Sequence, residues 1–144
     1  MLINTRDFGE LDISPEEVIE FPEGIYAFED DHRFVLISPR GENLYPMWLQ
    51  SLDNENLCFI VFDPKEFVAD YNVTIDDEAL KILGAESGFV PDYLVIAVVP
   101  EEYIDATVNM KSPIVINSKK RTAMQVIAQE SYPIKYPAFK KEEI

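Results

Sequence analysis

The fold is decided by two short apolar stretches, LVIAVV at residues 94–99 and FIVF at residues 59–62. Both are rich in β-branched and aromatic residues, and neither shows the 3.6-residue period of an amphipathic helix. Because each stretch is apolar at odd and at even positions, a strand formed from it would have both faces covered. We therefore predict two central strands that are buried on both sides.

Further apolar runs of the same character flank these two, separated by proline, glycine, asparagine and aspartate. They cover residues 18–21, 34–37, 47–49, 108–110, 114–116 and 124–128, and the central runs extend over 57–62 and 93–99. Proline bounds several runs, for example Pro46, Pro64 and Pro100, because it has no N–H to donate to a strand ladder. Short strands at this spacing predict a mainly β, antiparallel, β-barrel-like fold.

One or two short helices complete the predicted fold. Residues 76–83 favour a helix with Asp76 as its N-cap and Gly84 at its end. Ser14 and Glu17 have the spacing of a capping box, which predicts a single turn. Since the 144 residues contain no internal repeat or linker, we expect a single domain over residues 1–139 and a frayed tail over residues 140–144.

The charge is strongly negative and unevenly distributed. There are 27 acidic and 12 basic residues, a net charge of -15. Residues 1–105 carry 24 of the acids and 5 of the bases, whereas residues 106–144 carry 3 acids and 7 bases. Such a field repels phosphate backbones and anionic membranes, so we expect no direct nucleic-acid binding and no membrane binding.

Cysteine usage and the N-terminus predict a cytoplasmic location. Cys58 is the only cysteine, so it cannot form an internal disulfide, and its apolar neighbours favour a small core residue. The first residues lack the pattern of a signal peptide, and no apolar run approaches the roughly 18 residues of a membrane span.

Residues that could carry chemistry are few. His32 is the only histidine, so the common histidine-rich zinc sites and a catalytic triad are disfavoured, and we expect a solvated loop residue. The five glycines do not have the spacing of a phosphate-binding loop. Adjacent acids, as at Asp76 and Asp77, are usually a solvated surface. We predict no catalytic residue, no cofactor, no metal site and no enzymatic activity.

Two segments, at residues 67–71 and 101–105, combine acidic residues with apolar side chains. This composition suits a protein interface in which an apolar side chain is the anchor. The candidate partner-binding residues are Glu101, Glu102, Tyr103, Ile104, Asp105, Phe67, Asp70 and Tyr71. The alternative for the apolar members, such as Tyr103 and Ile104, is that they pack into the core. The sequence alone leaves both readings open.

Four strings of residues resemble those of one known family. They are FPEGIYAFE at 21–29, LQS at 49–51, FDP at 62–64 and ATVNMKSPIVIN at 106–117. In this order they resemble the flagellar assembly factor FliW family, from the first strand to about Tyr132. Within the first string, Gly24 is expected to supply a turn conformation that bulkier residues disfavour.

The resemblance implies a function without chemistry. Members of the family are cytoplasmic β-barrel-like proteins that bind flagellin and the RNA-binding translational repressor CsrA in turn. Free protein would bind CsrA and relieve its repression of flagellin translation, whereas unassembled flagellin would sequester the protein. We expect a monomer when it is free. Two rival functions are a broad acidic inhibitor that mimics nucleic acid and a small β-barrel enzyme that uses paired acids.

Overall fold

The computed structural model describes residues 1–41 and 44–139, so the expected tail at 140–144 lies outside the described residues. The fold is mainly β, as predicted. In chain order the strands are β1 (Leu2–Thr5), β2 (Gly9–Asp12), β3 (Ile19–Glu20), β4 (Arg33–Ile37), β5 (Met47–Ser51), β6 (Cys58–Phe62), β7 (Asp92–Val98), β8 (Thr107–Val108), β9 (Ile114–Asn117), β10 (Thr122–Gln125) and β11 (Tyr136–Pro137).

Both predicted helical segments are confirmed. Helix α1 spans Asp77–Ile82, and the Asp76 carboxylate accepts a hydrogen bond from the Ala79 N–H at 2.8 Å. A 3-10 turn spans Pro15–Glu17, where Glu17 Oε2 accepts from the Ser14 N–H at 2.7 Å. These side chains satisfy N–H groups that a helix start leaves without an internal partner.

Seven strands close into a barrel in the order β7-β6-β5-β4-β3-β10-β9, with β9 pairing back to β7. Strands β8 and β11 extend the sheet from β7, and β1 and β2 form a separate hairpin. The prediction of antiparallel pairing is wrong at one place, because β3 and β10 run parallel where Glu20 meets Thr122. Strand directions cannot alternate all the way round a ring of seven, so one parallel pair is unavoidable.

Alternate strand residues face the barrel interior and an outer layer. Leu94 and Ile96 of β7 pack in the inner cluster, whereas Tyr93 and Val95 pack in the outer one with parts of α1. Burial on both faces is thus confirmed for the first part of β7. The prediction is wrong at the end of the strand, where Val98, on the same face as Leu94 and Ile96, is 68% exposed because it lies beyond the inner cluster.

The β1–β2 hairpin and β11 were not predicted. Strand β2 has the sequence GELD and β11 the two residues YP, so neither carries the apolar alternation of a half-buried strand. The hairpin nevertheless covers a third, small cluster of Ile3, Ile13 and Val35 on the outside of the barrel. Tertiary packing, not local pattern, makes these segments strands.

Gly24 has the conformation that the sequence predicts, with φ +68°, and lies against the backbone of Glu29. A Cβ at this position would be 2.5 Å from the Glu29 Cα. We expect Gly24→Ala to lower the free energy of unfolding by about 3 kcal/mol, through left-handed strain and a clash that flexible side chains cannot relieve. Urea unfolding measures the change.

Gly9→Ala is the matched control for this prediction. Gly9 has φ +69°, and nothing lies within 4 Å of the Cβ that alanine would add. Its cost should therefore be the strain alone, about 1 kcal/mol. Equal losses for the two variants would show that the close approach to Glu29 contributes nothing.

Candidate partner-binding groove

Two of the sequence-predicted segments meet in one surface groove of about 930 Å³. Phe67 lies on one side and Ile104 and Asp105 on the other, although 36 or more residues separate them along the chain. We call this cavity the aromatic groove. Its lining residues are Glu66, Phe67, Ile104, Asp105, Ala106, Thr107, Tyr136, Pro137, Ala138 and Phe139.

Two short 3-10 turns position the two sides, and the first of them has a side-chain cap. Asp63 Oδ1 accepts a hydrogen bond from the Lys65 N–H at 2.9 Å and so caps the 3-10 turn Pro64–Glu66, which leads into Phe67. Across the groove, the turn Tyr103–Asp105 connects β7 to β8. Strands β6 and β7 are antiparallel, so the two turns leave from opposite ends of this pair, and Phe67 approaches the second side through Tyr136 of β11, 5.7 Å between ring centroids.

Strand β11 closes the groove along the edge of the sheet. Its Tyr136 pairs with Val108 of β8, and the Ala138 N–H donates to the Ala106 carbonyl at 2.9 Å. This addition brings Tyr136 and Phe139 beside the turn that carries Tyr103. The groove therefore depends on a segment distant in sequence from both predicted segments.

Five aromatic rings form a continuous row beside the groove, and three of them, Phe67, Tyr136 and Phe139, line it. Ring centroids are 5.7 Å apart for Tyr103 and Phe139, 6.5 Å for Phe139 and Phe62, 5.6 Å for Phe62 and Phe67, and 5.7 Å for Phe67 and Tyr136. Tyr103 is 68% exposed and Phe139 37%. Exposed rings already held by ring contacts are suitable anchors, because little side-chain freedom remains to be lost on binding.

The groove has acids on its wall and on the adjoining loop. Glu66 and Asp105 line it, and Glu101 and Glu102 are exposed on the loop that follows β7. Partial burial, together with the neighbouring Asp63, raises the pKa of Glu66. A cationic side chain bound here would meet negative charge directly beside apolar surface.

The structure separates the predicted contact residues into exposed and buried ones. Tyr103 is exposed and Ile104 is partly buried in the groove, whereas Tyr71 is only 2% exposed. The Tyr71 hydroxyl donates to the Met110 carbonyl at 2.7 Å, so this residue belongs to the core and the expectation that it is an exposed contact is wrong. Asp70 is exposed but does not line the groove.

Sequence reasoning missed the third side of the groove, residues 136–139. The string YPAF carries a weak signal, because two aromatic residues flank a proline near the end of the chain. No strand was predicted there, since two residues are too few for a periodic pattern.

The other residues singled out for chemistry lie as expected or nearly so. His32 is exposed, and its Nδ1 donates to the Phe21 carbonyl at 2.9 Å. Cys58 is half-buried, and this burial raises the pKa of its thiol to about 11.

Within residues 1–41 and 44–139, no group of three or more His, Cys, Asp or Glu side chains could hold a metal ion. In those same ranges, no helix has the length and apolarity needed to cross a bilayer.

Comparisons with known proteins identify one family over nearly the whole chain. Residues 2–138 match the family described as FliW protein. The flagellar assembly factor FliW of Thermoanaerobacter pseudethanolicus is 40% identical over 138 residues, covering 95% of this chain and 92% of the relative. That of Treponema denticola is 40% identical over 132 residues, covering 90% of this chain and 87% of the relative.

A solved structure gives the same result for the fold. The crystal structure of a flagellar assembly factor FliW superposes with a TM-score of 0.87 at 29% identity, covering 99% of this chain and 100% of the other. The fold, the family match and the sequence identities therefore all indicate the same family. The chain belongs to the FliW family of flagellar assembly factors.

Proposed function

We propose that this protein is a non-enzymatic regulator of flagellar assembly that acts in the cytoplasm by exchanging two partners. As a free monomer it binds CsrA and antagonises the repression of flagellin mRNA translation. Unassembled flagellin sequesters it and leaves CsrA active. The observation that carries the proposal is the aromatic groove, where exposed rings and acidic side chains adjoin.

The apolar part of the groove suits flagellin. Unassembled flagellin exposes amphipathic terminal helices, and such a helix docks by laying its apolar face into a groove. Tyr103 and Phe139 are exposed at this surface and would contact that face. Phe67 and Ile104, which are partly buried, would lie beneath it.

The acidic part suits CsrA, whose RNA-binding surface must be basic. Glu101 and Glu102 are exposed beside the groove, so a basic surface docked there gains favourable charge pairs. The same field raises the free energy of bringing RNA phosphates close to the complex. Antagonism therefore need not require that this protein occupy the RNA site itself.

The exposed aromatic rings favour this function over the rival of a broad nucleic-acid mimic. A mimic needs acids spread over one face and has no use for apolar anchors. Tyr103 lies among three such acids and still presents its ring to solvent. A partner with both basic and apolar character fits that combination.

The test is a charge-neutralised variant, Glu101→Gln with Glu102→Gln and Asp105→Asn. If repulsion contributes, this variant should restore RNA binding to CsrA by a larger factor than it weakens the complex with CsrA. Fluorescence anisotropy with labelled RNA gives the first quantity, and calorimetry gives the second.

The control removes the same charge elsewhere, through Glu10→Gln, Glu16→Gln and Glu55→Gln, all at exposed positions. It should leave both quantities nearly unchanged. If CsrA regained RNA binding only by the factor by which its complex with this protein was weakened, the three acids would act as contacts and not through repulsion. An unchanged triple variant would place CsrA on another face.

A further inference from the structure

A second groove, of about 550 Å³, lies between the loop at 23–29, the start of α1 and the chain that follows β10. We call it the α1 groove. Its apolar lining includes Ile75, Ile82, Met124 and Val126, which are buried or partly buried, and it is flanked by two exposed side chains. These are Tyr26, 51% exposed, and Ile127, 62% exposed.

The loop that carries Tyr26 is held in place by its own geometry. Gly24 and Ala27 both have positive φ, +68° and +73°, and the Phe28 N–H donates to the Ile25 carbonyl at 2.7 Å. The Tyr26 N–H also donates to Gln125 Oε1 of β10 at 3.0 Å. Tyr26 is therefore presented to solvent by a fixed backbone, which reduces the entropy lost on binding.

The charges around the groove are all of one sign. Glu23, Glu29, Asp76 and Glu78 line it, and no basic residue is among the described lining residues. Asp76 already accepts from the Ala79 N–H and Glu29 from the Ala27 N–H. Glu23 and Glu78 are exposed carboxylates on the two sides of the groove, at the loop and at the helix.

We propose that the α1 groove docks a basic, amphipathic segment of a partner protein. Its Lys or Arg side chains pair with Glu23 and Glu78, and its apolar side chains contact Tyr26 and Ile127. Charge complementarity of this kind sets the approach and register of a partner, while the aromatic and aliphatic side chains supply the anchors.

A second copy of the chain fits this groove poorly. The basic turn that could enter it is already engaged, because Lys120 pairs with Glu86 at 2.8 Å and Arg121 donates to the Glu17 carbonyl at 2.9 Å. Two copies, each with a net charge of -15, also repel one another.

The α1 groove and the aromatic groove share no lining residue. The inference therefore stands whether or not the aromatic groove binds flagellin and CsrA. A segment held in the α1 groove would leave the aromatic groove accessible.

The test uses the full chain, isotope-labelled for nuclear magnetic resonance, and a synthetic Leu/Lys amphipathic helical peptide of about four turns. Amide shifts should concentrate at residues 23–29, 75–79 and 124–129. Glu23→Gln with Glu78→Gln, and separately Ile127→Ser, should each weaken peptide binding about tenfold. Both changes are at exposed positions, and thermal melting confirms that the variants fold.

Two controls make the result specific. Glu10→Gln with Glu55→Gln removes the same charge at other exposed positions and should leave peptide affinity unchanged. A scrambled peptide of equal composition, without an apolar face, should bind far more weakly. The proposal would be overturned if the charge control lost as much peptide affinity as the Glu23 and Glu78 variant, or if the scrambled peptide bound as tightly as the amphipathic one. It would also be overturned by amide shifts centred on the aromatic groove, or by shifts that grow with protein concentration when no peptide is present.

Discussion

Replacing Tyr103 and Phe139 together by serine should weaken flagellin binding by about a thousandfold. Both rings are exposed and contact each other, 5.7 Å between centroids, and Phe139 lines the aromatic groove. Aromatic anchors in such positions typically contribute about 2 kcal/mol or more each when truncated. Calorimetric titration of flagellin measures the loss.

Leu2→Ser with Val90→Ser is the matched control, since it removes two other exposed apolar side chains. Its affinity for flagellin should remain that of the unaltered protein. Thermal melting should show that both variants are as stable as the unaltered protein. If the Tyr103 and Phe139 variant then bound flagellin with unchanged affinity, the aromatic groove would not be the flagellin site.

The association rate with CsrA should fall about tenfold or more when ionic strength rises from about 0.01 M to about 0.15 M. Over that range the Debye length shortens from about 30 Å to about 8 Å, so the acidic surface no longer steers a basic partner from a distance. Stopped-flow fluorescence at several salt concentrations separates association from dissociation. The dissociation rate should change much less, because apolar contacts are screened little.

The variant that neutralises Glu101, Glu102 and Asp105 serves as the internal comparison. Its association rate should depend less on salt than that of the unaltered protein, since three of the steering charges are gone. The triple change at Glu10, Glu16 and Glu55 should retain the steeper dependence. An association rate that is flat across the salt range in the unaltered protein would contradict electrostatic steering.

Much of the barrel was predictable because its strands are buried on both faces. Inward residues such as Leu94 and outward ones such as Val95 are both apolar, and that pattern is visible in the sequence. The parallel pair of β3 and β10 was not predictable, because it follows from the number of strands in the ring and not from any local signal.

The candidate site was predictable only in part. The sequence showed acids mixed with apolar residues near Phe67 and near Tyr103. Their convergence depends on β11, whose Tyr136 contacts the Phe67 ring and pairs with β8, the strand that follows the second turn. Tyr71 carried the same local signal as Phe67 and proved to be core, because its hydroxyl finds the Met110 carbonyl inside the protein. Only tertiary contacts distinguish an aromatic anchor from an aromatic core residue.

Competition between flagellin and CsrA is the most direct test of the proposed exchange. CsrA is titrated calorimetrically into this protein alone and into this protein saturated with flagellin, and then the order of the partners is reversed. Because both partners use the aromatic groove in this account, each should lower the apparent affinity of the other, by reciprocal factors. A stable ternary complex in which both affinities are unchanged would contradict the exchange.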